Sequence, residues 1–122
     1  MRTNPKSIMI VEDEIMLQDV YKLVLETEGY TVTIADNGRE ALDILATTQP
    51  DVILLDMLMP VMDGQQFMNT IDPDFPKSTK IIVYSNLSDS AVEAEVLELG
   101  AKRFILKSSM TPTDLIAMVE SV

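Results

Sequence analysis

Five short apolar runs alternate with five longer amphipathic stretches along this chain. The runs are rich in β-branched residues, and apolar and polar residues do not alternate over much of their length. This pattern is typical of strands that are covered on both faces of a parallel sheet. The predicted strands are Ile8–Val11, Thr31–Ile34, Val52–Leu55, Ile81–Tyr84 and Phe104–Leu106.

The amphipathic stretches predict helices with recognisable ends. In the first helix, apolar residues recur at helical spacing after Glu14, and Gly29 ends it. In the fourth helix, Val92, Val96 and Leu99 are spaced to lie on one face before Gly100. The later helices begin at residue types that cap helices. The predicted caps are Asn37, Asp63, Ser88 or Asp89, and Thr111, which is followed by Pro112.

The alternation of strands and helices indicates an α/β fold of the form (βα)5. Right-handed crossovers between parallel strands then give a doubly wound five-stranded sheet with helices on both faces. The length of 122 residues is within the usual range for one domain. We interpret the proline-marked segment 71–78 as an internal loop and residues 1–122 as a single domain.

The composition excludes several classes of site. The net charge of −11 argues against direct binding to nucleic acid or to an anionic membrane surface. The chain has no Cys and no His, which excludes disulfides, thiolate sites and histidine-ligated metals. The apolar runs are too short for a membrane span or a signal peptide, so we expect a cytoplasmic protein.

Polar residues whose side chains can take part in chemistry fall at the carboxyl ends of the predicted strands. Because these ends meet at one edge of a parallel sheet, residues far apart in sequence converge there. The candidates are Glu12 and Asp13 after strand one, Asp56 at the end of strand three, Ser85 after strand four and Lys107 after strand five.

This set of side chains suits the handling of a phosphoryl group. Three carboxylates at one edge repel each other unless a cation joins them, and Mg²⁺ prefers such oxygen ligands. Lys107 and Ser85 can neutralise and bond the phosphoryl oxygens while a carboxylate attacks phosphorus. Each residue alone has a structural reading, as a helix cap, a loop hydroxyl or a surface lysine. Their coincidence at four strand ends favours the functional interpretation.

With these residues, essentially the whole chain resembles the receiver domain of bacterial two-component response regulators, including the chemotaxis type. The resemblance rests on the acidic pair Glu12–Asp13, on Asp56 followed by Pro60 and Asp63–Gly64, and on Ser85 and Lys107. It implies a flavodoxin-like strand order 2-1-3-4-5. It also implies a signalling domain rather than an enzyme, although one that assists its own phosphotransfer and autodephosphorylation.

The resemblance implies a role for each site residue. Asp56 accepts the phosphoryl group from a histidine kinase or phosphotransfer protein. Mg²⁺ is held by Glu12, Asp13, Asp56 and the backbone carbonyl of Met57. Ser85 and Lys107 bond the acyl phosphate, and Phe104 swings inward with Ser85, although Phe104 also suits plain core packing. The face formed by helix four, strand five and helix five then changes its affinity for a downstream protein or effector domain, and it can form a homodimer.

Three residues depart from the family pattern. Ser108 follows Lys107 where the family usually has proline, commonly through a cis bond. A non-proline cis bond costs about 2.5–4 kcal/mol, so we expect a trans bond and a differently placed Lys107 loop. Asn86 is larger than the usual residue after the hydroxyl and is expected to restrict access to Asp56. Leu58 cannot orient an attacking water, which favours slow autodephosphorylation.

Two other functions remain open. A degenerate receiver would keep the fold and act as an unphosphorylated interaction module, which Asn86 and Ser108 favour and the complete acid, hydroxyl and lysine set opposes. A metal-dependent phosphatase would need a second Asp two residues after the nucleophile, where this chain has Leu58. Dinucleotide binding is disfavoured because the four glycines form no Gly-x-Gly-x-x-Gly motif.

Overall fold

The computed structural model describes residues 6–57, 61–71, 79–86, 90–107 and 110–122, in which strands and helices alternate. The elements are β1 Ser7–Val11, α1 Ile15–Thr27, β2 Thr31–Ala35, α2 Gly38–Leu45, β3 Val52–Asp56, α3 Gly64–Thr70, β4 Lys80–Ser85, α4 Ser90–Glu98, β5 Arg103–Leu106 and α5 Pro112–Ser121. The α/β class and all five predicted strands are confirmed, each strand being longer by one or two residues. Within the described ranges, no helix has the length and apolar character to cross a membrane.

The strands form one parallel sheet in the order β2-β1-β3-β4-β5, as the resemblance implied. Val11 at the end of β1 lies beside Leu55 of β3, and Asp56 at the end of β3 lies beside Tyr84 of β4. The carboxyl ends of the central strands are therefore level with one another. This register brings the segments that follow β1 and β3 to one edge.

Alternate residues of the central strands point into two separate apolar cores, which explains the lack of in–out alternation in their sequences. On one face, Val11 and Leu55 pack with Phe67 of α3 and Val96 of α4. On the other face, the core contains Leu54 and the buried hydrophobic side chains of α1 and α5, which are Tyr21, Leu25, Leu115 and Val119. The sheet is therefore doubly wound, with helices on both faces.

The edge strand β2 departs from the predicted burial on both faces. Its burial alternates, because Thr31 and Thr33 are exposed while Val32 and Ile34 are half-buried. The alternation of Thr with aliphatic residues in this run is the half-buried pattern typical of an edge strand. The prediction was wrong here because a strand at the edge has a neighbour on only one side.

Most predicted helix ends are confirmed by their hydrogen bonds. The side chain of Asn37 accepts from the backbone N–H of Glu40. Asp63 and Thr111 form capping boxes with Gln66 and Asp114 respectively. Gly29 and Gly100 have φ angles of +93° and +119°, the left-handed conformation that ends helices.

The fourth helix matches its prediction in part. Val96 is fully buried and Val92 packs against the same core, but Leu99 lies beyond the end of α4 and is 38% exposed. The N–H of Leu99 still donates to the carbonyl of Glu95, so its partial exposure reflects its place at the end of the helix, where the chain turns towards Gly100. The proposed caps Ser88 and Asp89 lie outside the described residues.

Candidate functional site

Asp56 is the last residue of β3 and only 3% of it is exposed. The four preceding residues, 52–55, are all buried, so the strand delivers a carboxylate directly from the core to the edge of the sheet. A buried carboxylate is costly unless it has charged or hydrogen-bonding partners. The groups around Asp56 are therefore the centre of the site.

Glu12 and Asp13 follow β1 beside this carboxylate. The backbone N–H of Glu12 donates to the carbonyl of Ala35, which continues the pairing with β2 and fixes the direction of the chain. Glu12 is fully buried, whereas Asp13 is exposed. One carboxylate oxygen from each of Glu12, Asp13 and Asp56 lies within 4.8 Å of the others. The structure thus brings together the three acids that the sequence predicted.

Lys107 follows β5 and places its ammonium group among these carboxylates. Its Nζ lies 3.0 Å from Oε1 of Glu12 and 3.2 Å from Oδ2 of Asp56. A third carboxylate, that of Glu14, lies 3.6 Å away and was not predicted. Because at most 8% of the Lys107, Glu12 and Asp56 side chains is exposed, the pairs of Lys107 with Glu12 and Asp56 are poorly screened by solvent. In this state, Lys107 is the cation of the site.

Burial and ion pairing shift the pKa values of Glu12 and Lys107. Burial raises the pKa of the Glu12 carboxyl to about 7, against the opposing effects of the Glu14 backbone N–H and of Lys107. Burial lowers the pKa of Lys107, but its bonds with Glu12 and Asp56 outweigh this and raise it to about 12. Lys107 is therefore firmly charged. Within the described residues, two of the three clustered carboxylates, those of Glu12 and Asp56, share this one ammonium group, an arrangement that a divalent cation would stabilise.

Ser85 and Met57 complete the predicted set. Ser85 is buried and is the last residue of β4, rather than the residue after it as predicted. The carbonyl of Met57 accepts from the backbone N–H of Gly64, which leaves a second lone pair on that oxygen for a ligand. A Cβ on Gly64 would lie 2.6 Å from the carbonyl oxygen of Asp56, so a glycine is needed where α3 approaches β3.

Comparison with known proteins decides the family. The model of the response regulator receiver domain matches residues 8–120. The chain belongs to the response regulator receiver domain family. Receiver domains act in phosphorylation-activated two-component signalling, so this is a signalling domain. The receiver domain resembles solved structures and curated proteins that carry the same type of domain.

Two similar solved structures cover nearly all of the receiver domain. The signal receiver domain of a signal transduction histidine kinase from Syntrophus aciditrophicus is 36% identical, covers 95% of this chain and 88% of its own, and has a TM-score of 0.83. A CheY-like response regulator receiver domain protein from Methanospirillum hungatei is 28% identical, covers 97% of this chain and 93% of its own, and has a TM-score of 0.89.

A probable transcriptional regulator, ycf27, from Cyanophora paradoxa is 34% identical across 100% of this chain, which corresponds to 50% of that protein. The chain thus spans about half the length of the curated relatives it matches first.

The structure describes only some of the remaining predicted residues of the receiver domain. Phe104 of β5 is half-buried and packs against the core on the side of α3 and α4. Asn86, directly after Ser85, is exposed. Leu58 and Ser108 lie outside the described residues, as does the bond between Lys107 and Ser108.

Two buried polar residues of the receiver domain were missed at the sequence level. The Tyr84 hydroxyl donates to Oε1 of Glu12 at 3.0 Å, and its ring centroid lies 5.4 Å from Nζ of Lys107. The Gln18 side chain donates to the carbonyl of Glu12 and to Oδ1 of Asp36, at 2.5 and 2.7 Å. The signal for Tyr84 was a hydroxyl-bearing residue directly before Ser85 in an otherwise aliphatic strand.

The donor set fits a hard divalent cation. The ligands that the structure brings together are carboxylate oxygens of Glu12, Asp13 and Asp56. Oxygen donors without nitrogen or sulfur suit Mg²⁺ or Ca²⁺ rather than zinc. Exposed Asp13 leaves the cluster open to solvent, as a Mg²⁺ ion that keeps several waters requires.

Proposed function

We propose that this receiver domain accepts a phosphoryl group on Asp56 from a phosphohistidine of a histidine kinase or phosphotransfer protein, in a reaction assisted by Mg²⁺. The observation that carries this proposal is the position of Lys107 between Asp56 and Glu12 at the edge where the acids converge. A nucleophilic carboxylate beside a fixed cation is what transfer to an acyl phosphate needs.

The chemistry assigns a role to each residue. An oxygen of the Asp56 carboxylate attacks phosphorus, the bond between phosphorus and the donor's imidazole nitrogen breaks, and the imidazole leaves with the electron pair. When bound by Glu12, Asp13, Asp56 and the Met57 carbonyl, Mg²⁺ neutralises charge on the phosphoryl oxygens. Lys107 exchanges its contact with Oδ2 of Asp56 for one with a phosphoryl oxygen. In this sense the domain assists its own phosphorylation without being an enzyme for an external substrate.

Phosphorylation then changes the balance of charges at the edge. It adds about −1.5 to −2 charge and three acceptor oxygens to a cluster that is already acidic. We propose that Ser85 and Lys107 move to bond those oxygens and that Phe104 turns inward as they do. Because β4, β5 and the helices beside them carry these residues, the face formed by α4, β5 and α5 changes. The phosphoryl group shifts the two states by its differential affinity for them.

The partners follow from this switch. We propose a downstream protein target or an effector domain that recognises the α4–β5–α5 face, and a homodimer through the same face as one form of the output. We also propose that residues 1–122 form one receiver domain that is cytoplasmic and does not itself bind nucleic acid, since its net charge is −11.

Helix α1 offers a docking surface for the phosphodonor protein. Met16, Val20 and Leu23 recur at i, i+4 and i+7, and they are 79%, 45% and 68% exposed. The helix begins three residues after Glu12, so this apolar stripe starts beside the acidic cluster. A donor must bring its phosphohistidine to Asp56 from the open edge, and contact with this stripe would hold it there.

The side chain two residues after Asp56 bears on the lifetime of the phosphoryl group. Leu58 is two residues after Asp56 and has no group that could orient a water molecule towards the acyl phosphate. We expect slow autodephosphorylation. Asn86 is exposed, and we propose that it restricts access to Asp56. The kinetics of phosphorylation test this proposal.

Beryllofluoride, a mimic of the phosphoryl group, tests the proposal without a kinase. Amide spectra of ¹⁵N-labelled protein are recorded with Mg²⁺ before and after beryllofluoride is added. We expect shifts around Ser85, Phe104 and Lys107 in the wild type and none in Asp56→Asn. No shift in the wild type would favour the unphosphorylated interaction module, and steady hydrolysis of many phosphoesters would favour a phosphatase.

A further inference from the structure

Tyr84 is held in a fixed position next to the acidic cluster. It is fully buried in β4, and it pairs with Asp56 of β3 and with Ile105 of β5. Its ring meets the ring of Tyr21 edge-on, with centroids 5.9 Å apart and an interplanar angle of 86°. Strand pairing and ring packing together leave the Tyr84 hydroxyl little freedom of position.

That hydroxyl holds one oxygen of Glu12. It donates to Oε1 at 3.0 Å, the same oxygen that Lys107 contacts at 3.0 Å. The other oxygen, Oε2, accepts from the backbone N–H of Glu14 at 3.0 Å. Burial and the nearby carboxylates of Glu12 and Asp56 raise the pKa of Tyr84 well above its ordinary value, so the hydroxyl keeps its proton and acts as a donor.

The two donors to Oε1 have different fates if the function proposed above is correct. Lys107 also contacts Asp56 and is the cation that turns to the phosphoryl oxygens, so it cannot hold Glu12 throughout the cycle. Tyr84 is fixed in the sheet and has no such second task. Once Lys107 has moved, the Tyr84 hydroxyl is, within the described residues, the side-chain donor that still orients the Glu12 carboxylate.

We propose that Tyr84 is a positioning residue that orients the Glu12 carboxylate for the divalent cation and thereby sets the affinity and selectivity of the site for Mg²⁺. This inference rests on the proposed function of the cluster. A free glutamate side chain must be immobilised before it can serve as a ligand, at a cost in rotamer entropy. Groups that hydrogen-bond a metal ligand from outside reduce that cost, and their removal typically lowers metal affinity about 10- to 100-fold.

Tyr84→Phe removes only the hydroxyl and keeps the ring beside Tyr21. The matched control is Tyr21→Phe, a second buried tyrosine in the same core, on α1. Binding of MgCl2 and of CaCl2 is measured by calorimetry at constant ionic strength for the wild type and both variants. Thermal unfolding with and without MgCl2 gives the same comparison for a variant of lower stability, because a ligand of the native state raises the melting temperature according to its affinity.

We expect Tyr84→Phe to bind Mg²⁺ about tenfold more weakly than the wild type. The loss should be smaller for Ca²⁺, which tolerates a looser set of ligands, whereas Mg²⁺ demands near-ideal geometry. Such a change in selectivity would not follow from a general loss of stability. Tyr21→Phe should stay within about twofold for both ions, since it leaves the Tyr84–Glu12 bond intact.

Four results would overturn the inference. Mg²⁺ affinity of Tyr84→Phe within twofold of the wild type would show that the hydroxyl does not position Glu12. An equal loss in Tyr21→Phe, or an equal loss for Ca²⁺ and Mg²⁺, would assign the effect to the core. These three results leave the proposed function standing. A wild type that binds no Mg²⁺ would overturn the inference and the proposed role of the metal together.

Discussion

The ammonium nitrogen of Lys107 lies 3.2 Å from Oδ2 of Asp56, although the two residues are 51 positions apart in sequence. The parallel sheet joins them by placing the ends of β3 and β5 at the same edge. In this state the lysine covers an oxygen of the proposed nucleophile and neutralises part of its charge. The same contact stabilises the fold, and under the proposed function it places Lys107 beside the incoming phosphoryl group.

Replacement of Lys107 by Met should destabilise the protein in the absence of divalent cations. It leaves buried Glu12 and Asp56 without their common cation, and loss of one partner of a buried pair typically costs about 3 kcal/mol or more. Urea unfolding in EDTA measures the free energy of unfolding. Lys22→Met on the exposed side of α1 is the control and should stay within about 0.5 kcal/mol. Equal stabilities of the two variants would show that the ion pairs are unimportant.

Gly64→Ala should disturb both the stability and the position of Asp56. The new Cβ would lie 2.6 Å from the carbonyl oxygen of Asp56 and 2.8 Å from Cα of Met57, which are backbone atoms with little room to move. Overpacking of this kind costs about 1–3 kcal/mol, and slower phosphorylation by acetyl phosphate should accompany it. The neighbouring change Gln65→Ala serves as the control. Normal stability and rate in Gly64→Ala would contradict the close approach of α3 to β3.

Val61→Asn should stabilise the protein. Val61 has φ = 68°, a left-handed conformation that is strained for a β-branched residue, and 78% of it is exposed. Asn adopts this conformation more readily and loses little packing, so we expect a gain of about 1 kcal/mol. Val61→Thr retains the branched Cβ and should show no gain. Thermal unfolding of the two variants provides the comparison, and an equal effect of both would count against backbone strain at this position.

Phe104→Trp should report the switch directly, because the chain has no other Trp. Phe104 is half-buried in the unphosphorylated state, which leaves room for deeper burial. We expect the Trp emission to shift to shorter wavelength when Mg²⁺ and beryllofluoride are added. The same substitution in an Asp56→Asn background is the control and should not respond. An unchanged spectrum in the first variant would mean that Phe104 only packs against the core.

Much of this account could be predicted from the sequence, because the strands carry strong local signals. Asp56 ends an apolar run, and the topology of a parallel sheet brings it to Glu12, Asp13, Ser85 and Lys107. What sequence reasoning missed depends on tertiary contacts. The sequence predicts only that Tyr84 is a core residue. The structure adds that its hydroxyl lies 3.0 Å from Glu12.

Burial at the margins of the fold was also less predictable. In β2 the alternation of Thr with Val32 and Ile34 is visible in the sequence, and the position of the strand at the edge of the sheet agrees with it. Leu99 fits the apolar period of α4, but the helix ends one residue before it, so its side chain is partly exposed. For Leu99 the sequence pattern is the same as that of a buried residue, and only its position after the end of α4 distinguishes it.

The central claim is that Asp56 is the phosphoacceptor, and intact-mass analysis after incubation with Mg²⁺ and acetyl phosphate tests it most directly. Asp63→Asn changes an acid that caps α3, outside the acidic cluster, and serves as the matched control for Asp56→Asn. We predict that the wild type and Asp63→Asn gain the mass of one phosphoryl group, that Asp56→Asn gains none, and that EDTA abolishes the gain. An adduct of equal yield on Asp56→Asn, or none on the wild type, would contradict the account.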